Sequence, residues 1–304
     1  MSIRPLALFD LPYLYSFREE AIGLDTARTL TRGNPLGAVG LFAYVNPARH
    51  IYSAIVNGER ESVLGGIIHS RNETFAKLLF IAPASQLDHP ELPGLIENLA
   101  VQAGSWGAFH VLAEVDEMSE AYVALRKAGF SVYAWQRMWD VSAIAEASQS
   151  FDWKRVKSVH VPSVQSLYHQ IVPPLLQPFE PQPRNPTGWL CNTGVKCYVS
   201  ATQGVYGIVL LPLIHPEATD VSAKLLSLIS SLPDRRNRPV YVCVRSYQAW
   251  LEPVLADLGA QGGDRQAVMV KHLAHLVKDE QTVPAVPKGV TVQPSRMSRI
   301  EEKS

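Results

Sequence analysis

The sequence contains few cysteines, no excess of charge of either sign and no long apolar run. Its three cysteines, Cys191, Cys197 and Cys243, are too few and too scattered for a disulfide framework, and their spacing matches no metal site. We therefore expect free thiols that are buried as small hydrophobic side chains, and we expect no bound metal.

The charge balance excludes a second group of functions. Lysine and arginine together number 28, and aspartate and glutamate also number 28. Proteins that capture nucleic acid or anionic membranes through long-range electrostatics carry a basic excess, so we expect neither partner here. The longest apolar run, residues 205–214, is about half as long as a membrane span. Because the first residues also lack the apolar core of a signal peptide, a cytoplasmic protein is expected.

What is present is typical of a globular chain large enough for two domains. Of the 304 residues, 47% are hydrophobic and 18% are charged. The first half predicts a strand, a helix, a three-strand meander, and then helix, strand, helix, strand. The second half repeats the closing order. The strongest internal echo pairs residues 110–130 with 240–260, each a strand, a helix, a glycine and the start of a further strand.

These repeats divide the chain into predicted units. A first domain is expected over residues 1–142, a linker over 143–160 and a second, shorter domain over 161–277. Residues 278–304 combine scattered charges with prolines and are predicted to be a disordered tail.

The order of the elements resembles that of the GNAT N-acetyltransferase superfamily. Three stretches carry the likeness in the first half: IRPL…DLPYLYSFR at the start, LLFIAP at the end of the meander, and EAYVALRKAGF before the last strand. The second half resembles a shortened copy. The resemblance implies an α/β fold with a mixed sheet, arranged as two tandem GNAT or acyl-CoA N-acyltransferase-like domains.

The resemblance also implies a cofactor site. In the family the fourth and fifth strands part, and the pantetheine arm of acetyl-CoA enters the gap. The pyrophosphate lies on amides at the start of the next helix, in an Arg/Gln-x-x-Gly-x-Gly/Ala loop. In many members a tyrosine on the last helix protonates the leaving thiolate. The implied cofactor-binding positions are Phe80, Ile81 and Ala82 in the first copy, and Leu213 and Ile214 in the second.

Neither copy keeps the loop pattern. The positions of the arginine and the two glycines are taken by Leu87, Pro90 and Leu92 in the first copy, and by Glu217, Asp220 and Ser222 in the second. The position of the tyrosine falls on Leu125 and Leu255. A proline has no N–H to donate, and an acidic side chain repels a pyrophosphate, so these replacements weaken the usual grip on the cofactor.

Two side chains are candidates for proton transfer. Glu114 lies on the strand that faces the expected gap and could act as a general base, or it could be an ordinary solvated strand end. Tyr122 lies three residues from the family's tyrosine position and could act as a displaced acid, or it could simply pack in the core. We hypothesise a groove between the copies, lined by Glu114, Tyr122 and an aromatic stripe of Tyr133, Trp135 and Trp139.

The sequence favours an N-acetyltransferase-like protein that transfers an acyl group from acetyl-CoA to an amine of a small molecule or peptide. A backbone N–H near Ile81 and Ala82 would polarise the thioester carbonyl, and Glu114 would accept the proton. The alternative is a non-catalytic GNAT-fold binding or scaffold protein that has lost the cofactor site. An open gap after Ile81 or Ile214 favours catalysis, and a filled gap favours the alternative.

Overall fold

A computed structural model describes residues 3–6, 8–41, 44, 49–57, 62–70, 73–144, 147, 149–183, 187–191, 196–233 and 235–273. Its strands are β1 Ile3–Leu6, β2 Ile22–Gly23, β3 Arg49–Asn57, β4 Ser62–Ser70, β5 Phe75–Ala82, β6 His110–Asp116, β7 Ser131–Asp140, β8 Trp153–Arg155, β9 Gly188–Cys191, β10 Cys197–Gln203, β11 Ile208–Ile214, β12 Val240–Arg245 and β13 Gln261–His272. Its helices are α1 Leu11–Ser16, α2 Thr26–Arg32, α3 Ala38–Leu41, α4 Leu92–Ser105, α5 Glu120–Lys127, α6 Val161–Ile171, α7 Val221–Ser230 and α8 Leu251–Asp257. The predicted tail lies outside the described residues.

The thirteen strands of the described residues belong to one mixed sheet, which confirms the predicted fold class. The strand order is β1-β3-β4-β5-β6-β13-β7-β12-β11-β10-β9-β8, and the short β2 pairs with β5 beside this path. The meander β3–β5 is antiparallel, whereas β5 with β6 and β11 with β12 are parallel pairs. The chain therefore builds two similar half-sheets, each with one parallel step in its middle.

The two halves exchange their last strands. β7 closes the first half in sequence, yet it pairs with β12 of the second half, where Trp139 lies opposite Val242. β13 closes the second half, yet it pairs with β6 of the first, where Met269 lies opposite Ala113. Because β13 also pairs with β7, the sheet continues through the seam between the halves without a break. The domain boundaries at 142 and 161 stay predictions, and the segment between them contributes β8, which pairs with β9.

The helix ends follow local chemistry. Ser119 precedes α5, and its hydroxyl oxygen accepts the N–H of Tyr122 at 3.3 Å, a typical N-cap. Gly129 follows α5 with φ of 86°, and Gly259 follows α8 with φ of 83°. This left-handed conformation favours glycine and ends both helices at corresponding places, as the repeat predicts.

Helices cover the two faces of the sheet. In the first half, α4 and α5 pack on one face around a core that includes Leu95, Leu99 and Leu125. In the second half, α7 and α8 pack around Leu225 and Leu251. The three cysteines are buried and form no disulfide with one another, as predicted. No helix in the described part of the chain has both the length and the apolar character needed to cross a membrane.

Candidate functional site

The first half contains the gap that the resemblance predicts. β5 and β6 pair in parallel only from Phe75 opposite His110 to Lys77 opposite Leu112. Beyond that point the two strands are no longer partners, and the remainder of β5 needs another neighbour on this edge. Parallel strands that diverge expose backbone N–H and C=O groups on their facing edges, which must be satisfied by something else.

The chain itself fills this first opening. β2 pairs with the far end of β5, with Ile22 opposite Ile81 and Gly23 opposite Phe80. The next residue, Leu24, donates its N–H to the carbonyl of Leu79 at 2.9 Å. Its own carbonyl accepts the N–H of Glu114 on β6, also at 2.9 Å. Residues 22–24 therefore bridge both diverging strands through their backbone.

The predicted cofactor positions of the first copy lie beneath this bridge. Phe80, Ile81 and Ala82 are fully buried. They pair with β4 on one edge, and the first two also pair with β2 on the other. The backbone near Ile81 that was expected to polarise a thioester therefore already lies between two strands of the protein.

The second opening is filled differently, by a side chain. β11 and β12 pair from Ile208 opposite Val240 to Leu210 opposite Val242 and then part. Gln248, which is 1% exposed, lies beyond that point. Its Oε1 accepts the N–H of Ile214 at 2.9 Å.

The same glutamine bonds a second backbone group of the diverging strand. Its Nε2 donates to the carbonyl of Pro212 at 2.8 Å. The side-chain oxygen and nitrogen of Gln248 thus both bond the backbone of β11, in the gap where the resemblance places the pantetheine arm of acetyl-CoA. The predicted cofactor positions Leu213 and Ile214 are both buried, the former in the core beside α6 and the latter in the core beneath α7 and α8.

A repeated turn precedes the helix after each opening. In the first copy it is His89-Pro90-Glu91, just before α4. The Nδ1 of His89 accepts the N–H of Glu91 at 3.1 Å, and its carbonyl accepts the N–H of Leu92 at 3.0 Å. Because Pro90 has no N–H, the turn consumes the first amide donors that an anion at this helix start would need.

The second copy repeats the turn with the same residues. His215-Pro216-Glu217 follows β11, the Nδ1 of His215 accepts the N–H of Glu217 at 3.2 Å, and its carbonyl accepts the N–H of Ala218 at 2.9 Å. Lys196 lies 3.0 Å from the Glu217 carboxylate, and this contact lowers the pKa of Glu217. The repeated tripeptide is a signal that the sequence analysis missed.

Glu114 belongs to a cluster of ionisable side chains at the seam. This seam cluster comprises Asp25, Lys77, Glu114, Glu180 and Arg245. Arg245, 6% exposed, places Nε 3.2 Å from Oε1 of Glu180 and Nη2 3.7 Å from Oε1 of Glu114. Lys77 lies 3.1 Å from Asp25. Three carboxylates and two cations give the seam cluster a formal charge of minus one.

Burial and mutual attraction set the protonation of the seam cluster. Burial raises the pKa of Glu180, and the nearby Arg245 guanidinium only partly opposes this. Burial lowers the pKa of Lys77, but the carboxylates of Asp25 and Glu114 outweigh burial and leave that pKa raised. The Glu180–Arg245 contact is an ion pair without the alignment of a hydrogen bond, because the Nε–H does not point at the oxygen.

A small cavity lies beside the cluster. It has a volume of about 20 Å³ and is lined by Lys77, Glu114, Tyr133 and Arg245 among others. This is room for about one water molecule. The hydroxyl of Tyr133 is buried and has no hydrogen-bond partner among the described residues, so a water here would satisfy it. Glu114 meanwhile accepts the N–H of Thr26 at 2.9 Å.

Tyr122 lies on the opposite face of the sheet from Glu114. It packs against the core between α5 and the sheet, with its ring 6.5 Å from that of Trp135. A register shift in β7 near Tyr133 turns that side chain toward Glu114, while Trp135 stays on the α5 side and Trp139 is buried in the core of the second half. The five side chains do not line one groove, contrary to our hypothesis. Catalytic roles for Glu114 and Tyr122 stay predictions.

Comparison with known proteins agrees with the topology. Compared by sequence, the chain matches no protein-family model and none of the curated proteins. Among solved structures it is similar to a GCN5-related N-acetyltransferase from Sphaerobacter thermophilus, with 11% identity, a TM-score of 0.55 and coverage of 89% of this chain and 95% of that one.

Two further solved structures are similar to this chain over nearly its whole length. A tandem GNAT protein from the clavulanic acid biosynthesis pathway, solved without acetyl-CoA, has 14% identity, a TM-score of 0.53 and coverage of 89% and 98%. A candidate acetyltransferase from Pyrococcus horikoshii has 11% identity, a TM-score of 0.55 and coverage of 90% and 89%. Likeness at this identity concerns the fold, and it spans nearly the whole of each chain. The chain therefore has the tandem GNAT fold.

Proposed function

We propose that this chain is a non-catalytic GNAT-fold binding or scaffold protein in which both cofactor openings are closed by the protein itself. The observation that carries the proposal is that backbone groups facing each opening already have hydrogen-bond partners within the chain. Leu24 satisfies Leu79 and Glu114 in the first opening, and Gln248 satisfies Pro212 and Ile214 in the second. The residues present do not fit the pantetheine arm of acetyl-CoA.

The cost of opening either gap supports this proposal. In the first opening, acetyl-CoA would have to replace two backbone hydrogen bonds of Leu24, each with a net value of about 1 kcal/mol. It would also expose the Leu24 side chain, now 1% exposed, at roughly 1.5–3 kcal/mol. Together these terms come to about 4 kcal/mol before the pairs of β2 are included, which weakens binding by roughly three orders of magnitude.

The competing hypothesis is an N-acyltransferase that moves an acyl group from acetyl-CoA to the amine of a small molecule or peptide. It requires an opening that admits the cofactor and a Glu114 carboxylate that can reach the amine. Glu114 instead accepts the N–H of Thr26 at 2.9 Å and faces a cavity with room for about one water. The geometry thus favours the binding protein. A cytoplasmic location is part of the proposal, and cell fractionation tests it.

Calorimetric titration with acetyl-CoA tests the proposal. We expect no saturable heat with the wild-type chain at millimolar ligand, and no release of free CoA when amines are added. Gln248→Ala removes the side chain that fills the second opening, and Gln102→Ala on the surface of α4 is the matched control. Micromolar binding to the wild-type chain, or acyl transfer to any amine, overturns the proposal in favour of the acyltransferase.

A further inference from the structure

Two of the three cysteines come together where β9 meets β10. Cys191 is the last residue of β9, and Cys197 is the first residue of β10. The two strands are antiparallel, with Leu190 opposite Tyr198. One further step in this register places Cys191 directly opposite Cys197. The fold therefore brings two thiols together as a cross-strand pair.

The side chains of both cysteines lie on the same face of the sheet. Residues directly opposite one another on antiparallel strands share a face, and successive residues of one strand alternate between faces. Cys191 and Cys197 belong to the core beneath α7 and α8, whereas Leu190 and Tyr198 belong to the core beside α6. Cys191 is 1% exposed and Cys197 is 2% exposed, so the two thiols are neighbours inside one core.

The spacing of such a pair suits a disulfide bond. Opposite residues of an antiparallel pair have Cα atoms about 4.5 or 5.5 Å apart, and a disulfide spans roughly 4.4–6.8 Å between Cα atoms. The Cβ atoms of opposite residues are roughly 4.5–5.5 Å apart and need to approach to roughly 3.5–4.5 Å. Because Cys191 and Cys197 each end a strand, this small approach disturbs the pairing on one side only.

A buried lysine lies near the pair. Lys224 on α7 is 4% exposed, and its Nζ donates to the carbonyl of Thr219 at 2.7 Å. Burial raises the pKa of Cys197 to about 11, the Lys224 ammonium opposes part of this rise, and Cys191 adds to it. The thiolate is the form of cysteine that reacts with oxidants. Lys224 therefore favours the reactive form of Cys197 within an environment that otherwise suppresses it.

We propose that Cys191 and Cys197 are a redox-sensitive pair that a peroxide converts to a cross-strand disulfide. The Cys197 thiolate attacks one oxygen of hydrogen peroxide, the O–O bond breaks, and the other oxygen leaves as water. Cys197 is then a sulfenic acid. The Cys191 sulfur attacks the Cys197 sulfur, the S–S bond forms, and the sulfenic oxygen leaves as a second water. Two electrons pass from the thiols to the peroxide, and the two thiol protons end in the two waters.

The pair is separate from the closure of the two openings. Ile214 on β11 pairs with Cys197 and donates its N–H to Gln248. The cysteines therefore lie one strand away from the second opening and take no part in filling it. The acetyl-CoA titration and the oxidation of this pair are independent, so the failure of one proposal does not decide the other.

Peroxide treatment of the full chain tests the proposal. After incubation with hydrogen peroxide, the remaining thiols are alkylated in denaturant and the digest is mapped by mass spectrometry. We expect a linked Cys191–Cys197 peptide that a dithiol reductant separates, together with an alkylated Cys243. The midpoint of urea unfolding should rise on oxidation and return on reduction, because the disulfide restricts the unfolded chain.

Refolding in a glutathione redox buffer tests the pairing when access to the buried thiols is not limiting. Here glutathione disulfide is the oxidant, and it is reduced to two glutathione thiols as the cysteines join. The ratio of Cys191–Cys197 disulfide to dithiol should be at least about tenfold higher in the refolded chain than in the chain kept in urea in the same buffer.

Two alanine variants assign the effect to the pair. Cys191→Ala removes one partner, and Cys243→Ala is the matched control because it also replaces a buried thiol. Peroxide should leave the urea midpoint of Cys191→Ala unchanged and raise that of Cys243→Ala as it does in the wild type. Mapping of the wild-type chain stays decisive even if a variant does not fold.

Three results would overturn the proposal. The first is the absence of a Cys191–Cys197 disulfide after peroxide treatment of the native chain. The second is an equal ratio of disulfide to dithiol in the refolded chain and in the chain kept in urea. The third is a disulfide that joins Cys243 to either of the other two cysteines.

Discussion

Replacing Gln248 by leucine tests whether its side chain is needed to fill the second opening. Leucine has a similar size but cannot accept the N–H of Ile214 or donate to the carbonyl of Pro212. Each buried backbone group left without a partner costs about 1–3 kcal/mol, and burying leucine in place of an amide returns roughly 1 kcal/mol. We expect Gln248→Leu to lower the free energy of unfolding by about 2–4 kcal/mol, a large share of the roughly 5–15 kcal/mol typical of proteins.

Urea unfolding followed by circular dichroism measures this loss. The matched control is Gln102→Leu in α4, which removes only a surface contact with Ser105 and should change stability by less than about 0.5 kcal/mol. If Gln248→Leu were as stable as the control, the two hydrogen bonds of Gln248 would not hold the second opening closed, and the proposed self-filling of that half would be wrong.

Three further predictions concern the buried polar groups. Arg245→Met should destabilise the fold by about 3–5 kcal/mol in urea, because Glu114 and Glu180 lose their buried counter-charge, whereas Arg126→Met should have little effect. Because the pKa of Glu180 is raised, the folded chain holds the carboxyl proton of Glu180 more tightly than the unfolded chain does. Protonated Glu180 therefore contributes to stability at low pH, and this stability is lost as pH rises from 4.5 through the raised pKa. When the free energy of unfolding is measured against pH, Glu180→Gln should therefore become more stable relative to the wild type across that pH range. Parallel curves for the two proteins would contradict the pKa shift. Burial raises the pKa of Cys243 to about 12, so this thiol should not react with a disulfide reagent at about pH 8 until the chain unfolds, and fast reaction of the native protein would contradict its burial.

Local signals in the sequence account for most of the elements. The Ser119 cap, the left-handed Gly129 and the apolar spacing between them define α5 without any knowledge of the rest of the chain. The same kind of signal recurs at Gly259, which is why the repeat was detectable. Pairing between distant strands leaves no such trace. β7 and β13 follow equivalent helices, and nothing local states which half-sheet either one joins, so the strand exchange could not be predicted.

Local sequence patterns also could not predict which residues fill the two openings. β2 has only two residues and shows no alternation that could reveal a strand. Gln248 is a polar residue in a short helical turn, a context that is usually exposed. It is nevertheless 1% exposed, because its side chain accepts the N–H of Ile214 and donates to the carbonyl of Pro212 on β11. Burial of Glu114 likewise depends on Arg245, which is 131 positions away in the sequence.

One missed signal was available. The tripeptide His-Pro-Glu occurs at His89, shortly before α4, and again at His215, directly after β11. Its physical meaning is an imidazole that accepts the N–H two residues on, followed by a proline with no donor. In the first copy this turn satisfies the N–H of Leu92, the first residue of α4, whereas in the second copy it lies ahead of α7, which begins at Val221.

Amide hydrogen exchange with and without acetyl-CoA tests the closure of the two openings most directly. The informative amides are those of Leu24 and Glu114 in the first opening and Ile214 in the second, because each donates to a partner within the chain. We expect slow exchange at all three, close to that of the central strands, and no change when acetyl-CoA is added at millimolar concentration. Rapid exchange at Leu24 and Ile214 in the free protein, or a change at these amides on adding acetyl-CoA, would mean that the gaps open and admit the cofactor.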